Sequence, residues 1–168
     1  FVTWIQALKR TRVEGRSIGN PGMAGAVLWL LRNTGAPQME ENLCSVAQTI
    51  LGEDDALEDA IIYCDHASRD EHLERLTLAD LYLDTPAYNA HTVGCDCLSA
   101  GVPMISLLLP HHQQPTSNSD TNGKIKVPTD KLASRVGASL LKSAGSSSLL
   151  SDSLVVSSME EYENRMVE

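Results

Sequence analysis

Leu81-Tyr-Leu-Asp-Thr-Pro-Ala-Tyr-Asn-Ala-His-Thr-Val-Gly-Cys-Asp-Cys-Leu-Ser-Ala-Gly101, running on into Val102-Pro-Met-Ile-Ser-Leu-Leu108, decides the fold. Leu81–Asp84 is a short apolar run that reads as a buried strand. Thr92 to Ala100 carries a helical pattern that stops at Gly101. Met104–Leu108 is apolar again, so the order is strand, loop, helix, strand. A crossover of this kind joins parallel neighbours along a right-handed path. The pattern repeats upstream. Ala26–Leu31 and Ile61–Cys64 read as fully buried strands. Between them Met39, Leu43, Val46 and Ile50 recur at helical spacing until Gly52. Ser68 and Glu71 form a capping box for a helix that turns Leu73 and Leu76 inward. Downstream, a helix from about Lys131 places Leu132, Val136 and Leu140 on one face. Ser158 with Glu161 caps a last helix. The expectation is a Rossmann-like α/β fold, a parallel sheet flanked by helices.

The chain has 168 residues, 42% of them hydrophobic, enough for one domain with a core. Two polar stretches read as surface insertions into a lobe spanning 1–168, at about 11–25 and 108–127. The second is almost without apolar side chains and cannot offset its ordering entropy by burial. Ser143–Ser158 is serine-rich, but its Leu and Val residues suggest a short strand and turns. Phe1, Trp4, Ile5 and Leu8 open directly on a helical pattern, and Met159–Met166 closes inside another. Both ends therefore read as those of a fragment.

Lys and Arg number 13 against 22 Asp and Glu, giving a net charge of −9. That balance argues against a nucleic-acid partner, because a phosphate backbone needs a basic surface. Cys44, Cys64, Cys95 and Cys97 show no metal spacing and read as reduced thiols of an intracellular protein. No apolar run has the length of a membrane span, and no signal-peptide pattern is present.

In an open parallel sheet, ligands bind where strands lead into helices. Two such loops are rich in functional side chains. Asp65–Arg69 continues to His72 and Arg75, and Arg69, His72 and Arg75 share a helix face at spacings of three. Asp84–Asp96 leaves a strand and enters a helix at about Thr92. Free amides at Thr92, Val93 and Gly94 would form an anion site there, and Gly94 would let a diphosphate approach closely. Asp96 lies one turn further, within reach of a ribose hydroxyl. The plain alternative is a solvated helix face and an ordinary capped loop. Asn20–Gly25 lacks a phosphate-loop lysine, and His111-His112 reads as a solvated pair.

Leu78 to Met104 closely resembles the signature stretch of the protein O-GlcNAc transferase family, LADxxLDTPxxNGHTTGxDxLWAGxPMV. Val27–Arg32, Leu132–Ser139 and Glu160–Glu163 match further family segments in the same order. The resemblance implies one lobe, the C-terminal one, of a two-lobed GT-B enzyme. Such enzymes transfer GlcNAc from UDP-GlcNAc to Ser/Thr hydroxyls of cytoplasmic and nuclear proteins, with inversion and with neither metal nor cofactor. By position, Ala67, Arg69, His72 and Arg75 would surround the uridine, His91, Thr92 and Val93 the diphosphate, and Asp96 the ribose.

Two departures from the family pattern matter, and a third is minor. Arg69 stands where lysine is usual, keeping the charge but changing its geometry. Val93 replaces a second threonine, losing a hydroxyl but keeping the amide. Ala90 stands for the glycine of NGHT. The resemblance places acceptor-side groups, part of the diphosphate site and the substrate-recruiting repeats outside these residues, so no catalytic residue is assigned. The isolated chain is expected to be inactive. Two other readings are a GDP-fucose protein O-fucosyltransferase, whose loop resembles FPYAGTTT without the histidine, and a non-catalytic α/β interaction module.

Overall fold

Val2–Ile18 form one continuous helix, α1, which ends at Gly19 in the left-handed conformation (φ 71°). The polar stretch from Thr11, expected as a surface insertion, is thus largely the second half of a helix. Its polarity misleads because Arg12 is buried: its guanidinium pairs with Asp55 at 2.8 Å and donates to the carbonyls of Ala26 and Asp59. Asn20 then caps α2 (Pro21–Ala24), accepting from the amides of Gly22 and Met23. Gly15 has no side chain because α2 packs directly on it; a Cβ there would overlap Ala24 and Met23.

The computed structural model describes residues 1–33, 35–53, 55–109, 131–145 and 153–168. Within the span expected to be one lobe there are two compact units, Phe1–Ser68 with Met166–Glu168, and Arg69–Arg165. The insertion expected at about 108–127, with His111-His112, lies outside the described residues from position 110 onward.

In the first unit, β1 (Leu28–Leu31) pairs in parallel with β2 (Ile61–Cys64). Helices α3 (Pro37–Leu51) and α4 (Leu57–Ala60) lie between them in the chain. Both strands were expected to be fully buried, yet Leu31 and Ile62 are about half exposed. A two-stranded sheet leaves each strand an edge, so an apolar run does not guarantee cover on both faces. Helix α3 also presents a rotated face. Ala47 and Leu51 are buried, while Met39 and Val46 are exposed. Apolar residues occur on both sides of the stripe, and the small Ala47 permits a closer approach than Val46 would. Arg32 at the end of β1 ties in α3 through Glu40 and β2 through Asp65.

In the second unit, three parallel strands run in the order β3 (Tyr82–Leu83), β4 (Met104–Leu107), β5 (Val155–Val156). All four residues of central β4 are buried. Around this sheet the chain forms α5 (Arg69–Leu76), α6 (Thr92–Ser99), a 3-10 turn (Leu132–Ser134), α7 (Val136–Ala144) and α8 (Met159–Val167). The expected face of the Lys131 helix is corrected. Leu132 is 84% exposed and stands on the 3-10 turn, while Gly137, Ala138 and Leu141 face the core. The capping box of α8 forms as expected at Ser158, whose hydroxyl accepts the Glu161 amide. Glu161 reaches back to the Ser157 amide and hydroxyl, which holds its carboxyl below the ordinary value. Cys44, Cys64, Cys95 and Cys97 are all free thiols, and no helix among the described residues is long and apolar enough to cross a membrane.

The Asp55 cluster yields a test. Hydrogen bonds from Arg16, then Arg12, lower the Asp55 pKa against the opposing effect of burial. A lowered carboxyl pKa contributes stability above the ordinary value and loses it as pH falls. Asp55→Ala should therefore cost roughly 3–5 kcal/mol at neutral pH, because Arg12 stays buried without its partner. Urea denaturation should show that deficit shrinking below about pH 4. A deficit that is constant with pH would contradict the assignment.

Candidate functional site

The segment between β3 and α6 is held by a buried polar network. Asp84 has no solvent exposure. One carboxylate oxygen accepts the Ala90 amide at 2.8 Å, and the other accepts the Ser106 hydroxyl at 2.6 Å. The Asp84 carbonyl accepts the hydroxyl of fully buried Tyr162 at 2.6 Å. Asn89, also unexposed, donates its amide to the Ala133 carbonyl and its side-chain NH2 to Thr85. Its side-chain oxygen accepts the amide of Gly137, in the first turn of α7, at 3.1 Å. Helix starts leave such amides without an intrahelical partner, so Asn89 caps α7 from a distant part of the chain.

Gly137 is glycine because of this network. A Cβ there would fall inside van der Waals contact of the Asp84 carboxylate and the Ser106 hydroxyl. Burial pushes the Asp84 carboxyl above its ordinary value, against hydrogen bonds from Ser106, Ala90 and Thr85 and the electrostatic influence of His91.

This frame fixes where α6 begins. His91 is its N-cap residue and makes no side-chain cap, and the first helical bond runs from the Cys95 amide to the His91 carbonyl. A cleft of about 330 Å³ opens beside that turn. Arg69, His91, Thr92 and Asp96 line it together with Cys95, Val136 and Leu140. Asp96 receives Arg69 on one oxygen at 3.2 Å and faces His72 Nε2 across 3.7 Å on the other. Arg69 is 72% exposed, so its pair with Asp96 is weak and easily exchanged for another partner.

The structure thus gathers five of the eight expected site residues: Arg69, His72, His91, Thr92 and Asp96. Arg75 instead pairs with Glu71 one helical turn away. Val93 is 38% exposed and does not line the cleft. Ala67 belongs to the first unit, half-buried after β2. Gly94 is corrected: it is buried, and a Cβ would press on Leu140 at 3.2 Å and lie in ordinary contact with Met104 at 3.5 Å. Its missing side chain lets α6 pack on α7 and β4, not a ligand approach the backbone. Val136 and Leu140, expected only to share a helix face, supply the cleft's apolar wall. Asp84, Asn89, Ser106 and Gly137 were not singled out, because no local pattern marks partners so far apart in sequence.

Residues 20–117 match the family model described as Glycosyl transferase family 41. The chain belongs to glycosyl transferase family 41. It is 35% identical over 165 residues to an Arabidopsis thaliana protein described as "Probable UDP-N-acetylglucosamine--peptide N-acetylglucosaminyltransferase SEC", covering 98% of this chain and 13% of that one. Identity is also 35% over 85 residues with the UDP-N-acetylglucosamine–peptide N-acetylglucosaminyltransferase of Caenorhabditis elegans, covering 51% of this chain and 6% of the relative. The chain therefore spans a small part of the length of the curated relatives it matches. A solved structure of a mutant O-GlcNAc transferase from Thermobaculum terrenum aligns with a TM-score of 0.61 at 22% identity, over 95% of this chain and 24% of that one. This likeness shows the fold, the Rossmann-like parallel-sheet arrangement of a GT-B glycosyltransferase.

Two variants test the network in this family 41 member. Gly137→Ala should destabilise the protein by about 1–3 kcal/mol in chemical denaturation, as overpacking does; an unchanged midpoint would contradict the close approach. Because the Asp84 pKa is raised, its stabilising contribution is greatest below the ordinary value and declines as pH rises. Asp84→Asn, which does not titrate, should therefore gain on the native chain as pH rises above about 4. A widening deficit over that range would reverse the sign and contradict it.

Proposed function

We propose that this chain binds the UDP portion of UDP-GlcNAc for a protein O-GlcNAc transferase. The observation that carries the reading is the convergence of Arg69, His91, Thr92 and Asp96 on one cleft at the start of α6, in a member of family 41. The two curated relatives are named for transfer from UDP-N-acetylglucosamine to peptides, which supports the same donor here.

In this proposal the diphosphate lies at the first turn of α6, against its amides, the Thr92 hydroxyl and His91. Asp96 accepts a ribose hydroxyl, and Arg69 exchanges its exposed ion pair for the nucleotide. Val136 and Leu140 give the nucleoside an apolar wall. UDP is the leaving group, so negative charge grows on the phosphate as the bond to GlcNAc breaks. Amide dipoles and cationic side chains stabilise that charge in place, which is why the proposal needs no metal. The attacking group is a Ser/Thr hydroxyl of a cytoplasmic or nuclear protein, arriving opposite the leaving group, so the anomeric centre inverts. His72 and Arg69 brace the Asp96 carboxylate from both sides before ligand arrives.

Calorimetric titration with UDP and GDP, each with and without EDTA, tests this. The account expects saturable UDP binding unaffected by EDTA, weaker GDP binding, and a loss of about 10- to 100-fold in His91→Ala. Tighter binding of GDP would favour a fucosyltransferase donor. Absence of nucleotide binding would favour an interaction module.

A further inference from the structure

Tyr88 is 65% exposed, and its ring stacks on the His91 imidazole with centroids 5.2 Å apart and planes inclined by 23°. A tyrosine so exposed adds little burial to the core. What it does have is a rigid base. The Thr85 hydroxyl donates to the Tyr88 carbonyl. The next residue, Asn89, is tied to Ala133, Gly137 and Thr85. The backbone that presents the ring is thus clamped into the Asp84 frame, while the ring itself reaches outward.

His91 lacks such an anchor of its own. It is exposed, it makes no side-chain cap on α6, and the terminal torsion of a histidine has a broad, shallow preference. Offset aromatic stacking restricts that torsion and adds stabilisation beyond simple area burial. The spacing Tyr88-x-x-His91 across the bend into α6 brings the two rings together.

We propose that Tyr88 is a positioning residue that holds the His91 imidazole, through this stacked pair, in the orientation that meets the anionic end of a nucleoside diphosphate. The inference rests on the donor-site reading above and adds a residue to it. Tyr88 acts on the phosphate through His91, so its effect is confined to ligands that carry the diphosphate.

The test compares native chain, Tyr88→Ala, Tyr88→Phe, His91→Ala and the Tyr88→Ala/His91→Ala double variant. Each is titrated with UDP and with uridine, while the His91 ring proton is followed by NMR. Tyr88→Ala should shift the His91 ring signal and weaken UDP by about 3- to 10-fold, leaving uridine affinity unchanged. Tyr88→Phe, which keeps the ring, should restore UDP affinity. The double variant should bind UDP no more weakly than His91→Ala. Native UDP affinity in Tyr88→Ala, alongside a weakened His91→Ala, would overturn the proposal and leave the donor site standing. An equal loss of uridine binding would also overturn it. No UDP binding by the native chain would remove the donor reading itself.

Discussion

A buried carboxylate is tolerable only when its oxygens are satisfied, and Asp84 satisfies them by joining three parts of the second unit. One oxygen holds the loop through the Ala90 amide, and the other holds β4 through Ser106. Helix α7 packs onto both because residue 137 has no side chain. Removing any one partner would leave a buried polar atom unsatisfied, so the network is cooperative. The loop Thr85–Ala90 therefore has little freedom, and the first turn of α6 starts where the network puts it. Binding groups on that turn inherit their rigidity from beneath them.

The cleft follows from this. Helix amides can receive an anion only if they are not already capped, and His91 leaves them without a side-chain cap. Arg69 and His72 approach Asp96 from α5, an element of modest burial whose contacts are exposed and exchangeable. The site thus combines a fixed floor with adjustable rim charges. A ligand that is anionic at one end and hydroxyl-bearing at the other matches that arrangement.

Much of this was legible in the sequence, and the reasons differ by element. β4 and α6 were readable because their apolar patterns match what the fold buries. The α8 cap was readable because a capping box is local. Four features were not. Arg12 looks like solvent-facing polarity until Asp55, 43 positions away, is placed beside it. Gly94 looks like a phosphate-contact glycine until Leu140 is found packed against it. Leu132 looks like a core residue but stands on a 3-10 turn ahead of α7. Asp84 itself was read only as the end of a strand, because its partners lie at positions 90, 106 and 162. Loop chemistry pointed to most of the candidate residues and family resemblance added Ala67 and His91; within the second unit, Arg69, His91, Thr92 and Asp96 line the cleft, while Arg75 pairs with Glu71 and Val93 stays outside the lining.

Amide mapping by two-dimensional NMR during UDP titration tests the central claim most directly, since it shows whether a ligand meets the Asp84-braced turn. The account predicts that the largest shifts within the second unit fall on Ala90 to Cys95, with Arg69, His72 and Asp96. Shifts centred elsewhere, with the α6 turn unmoved at saturation, would contradict it.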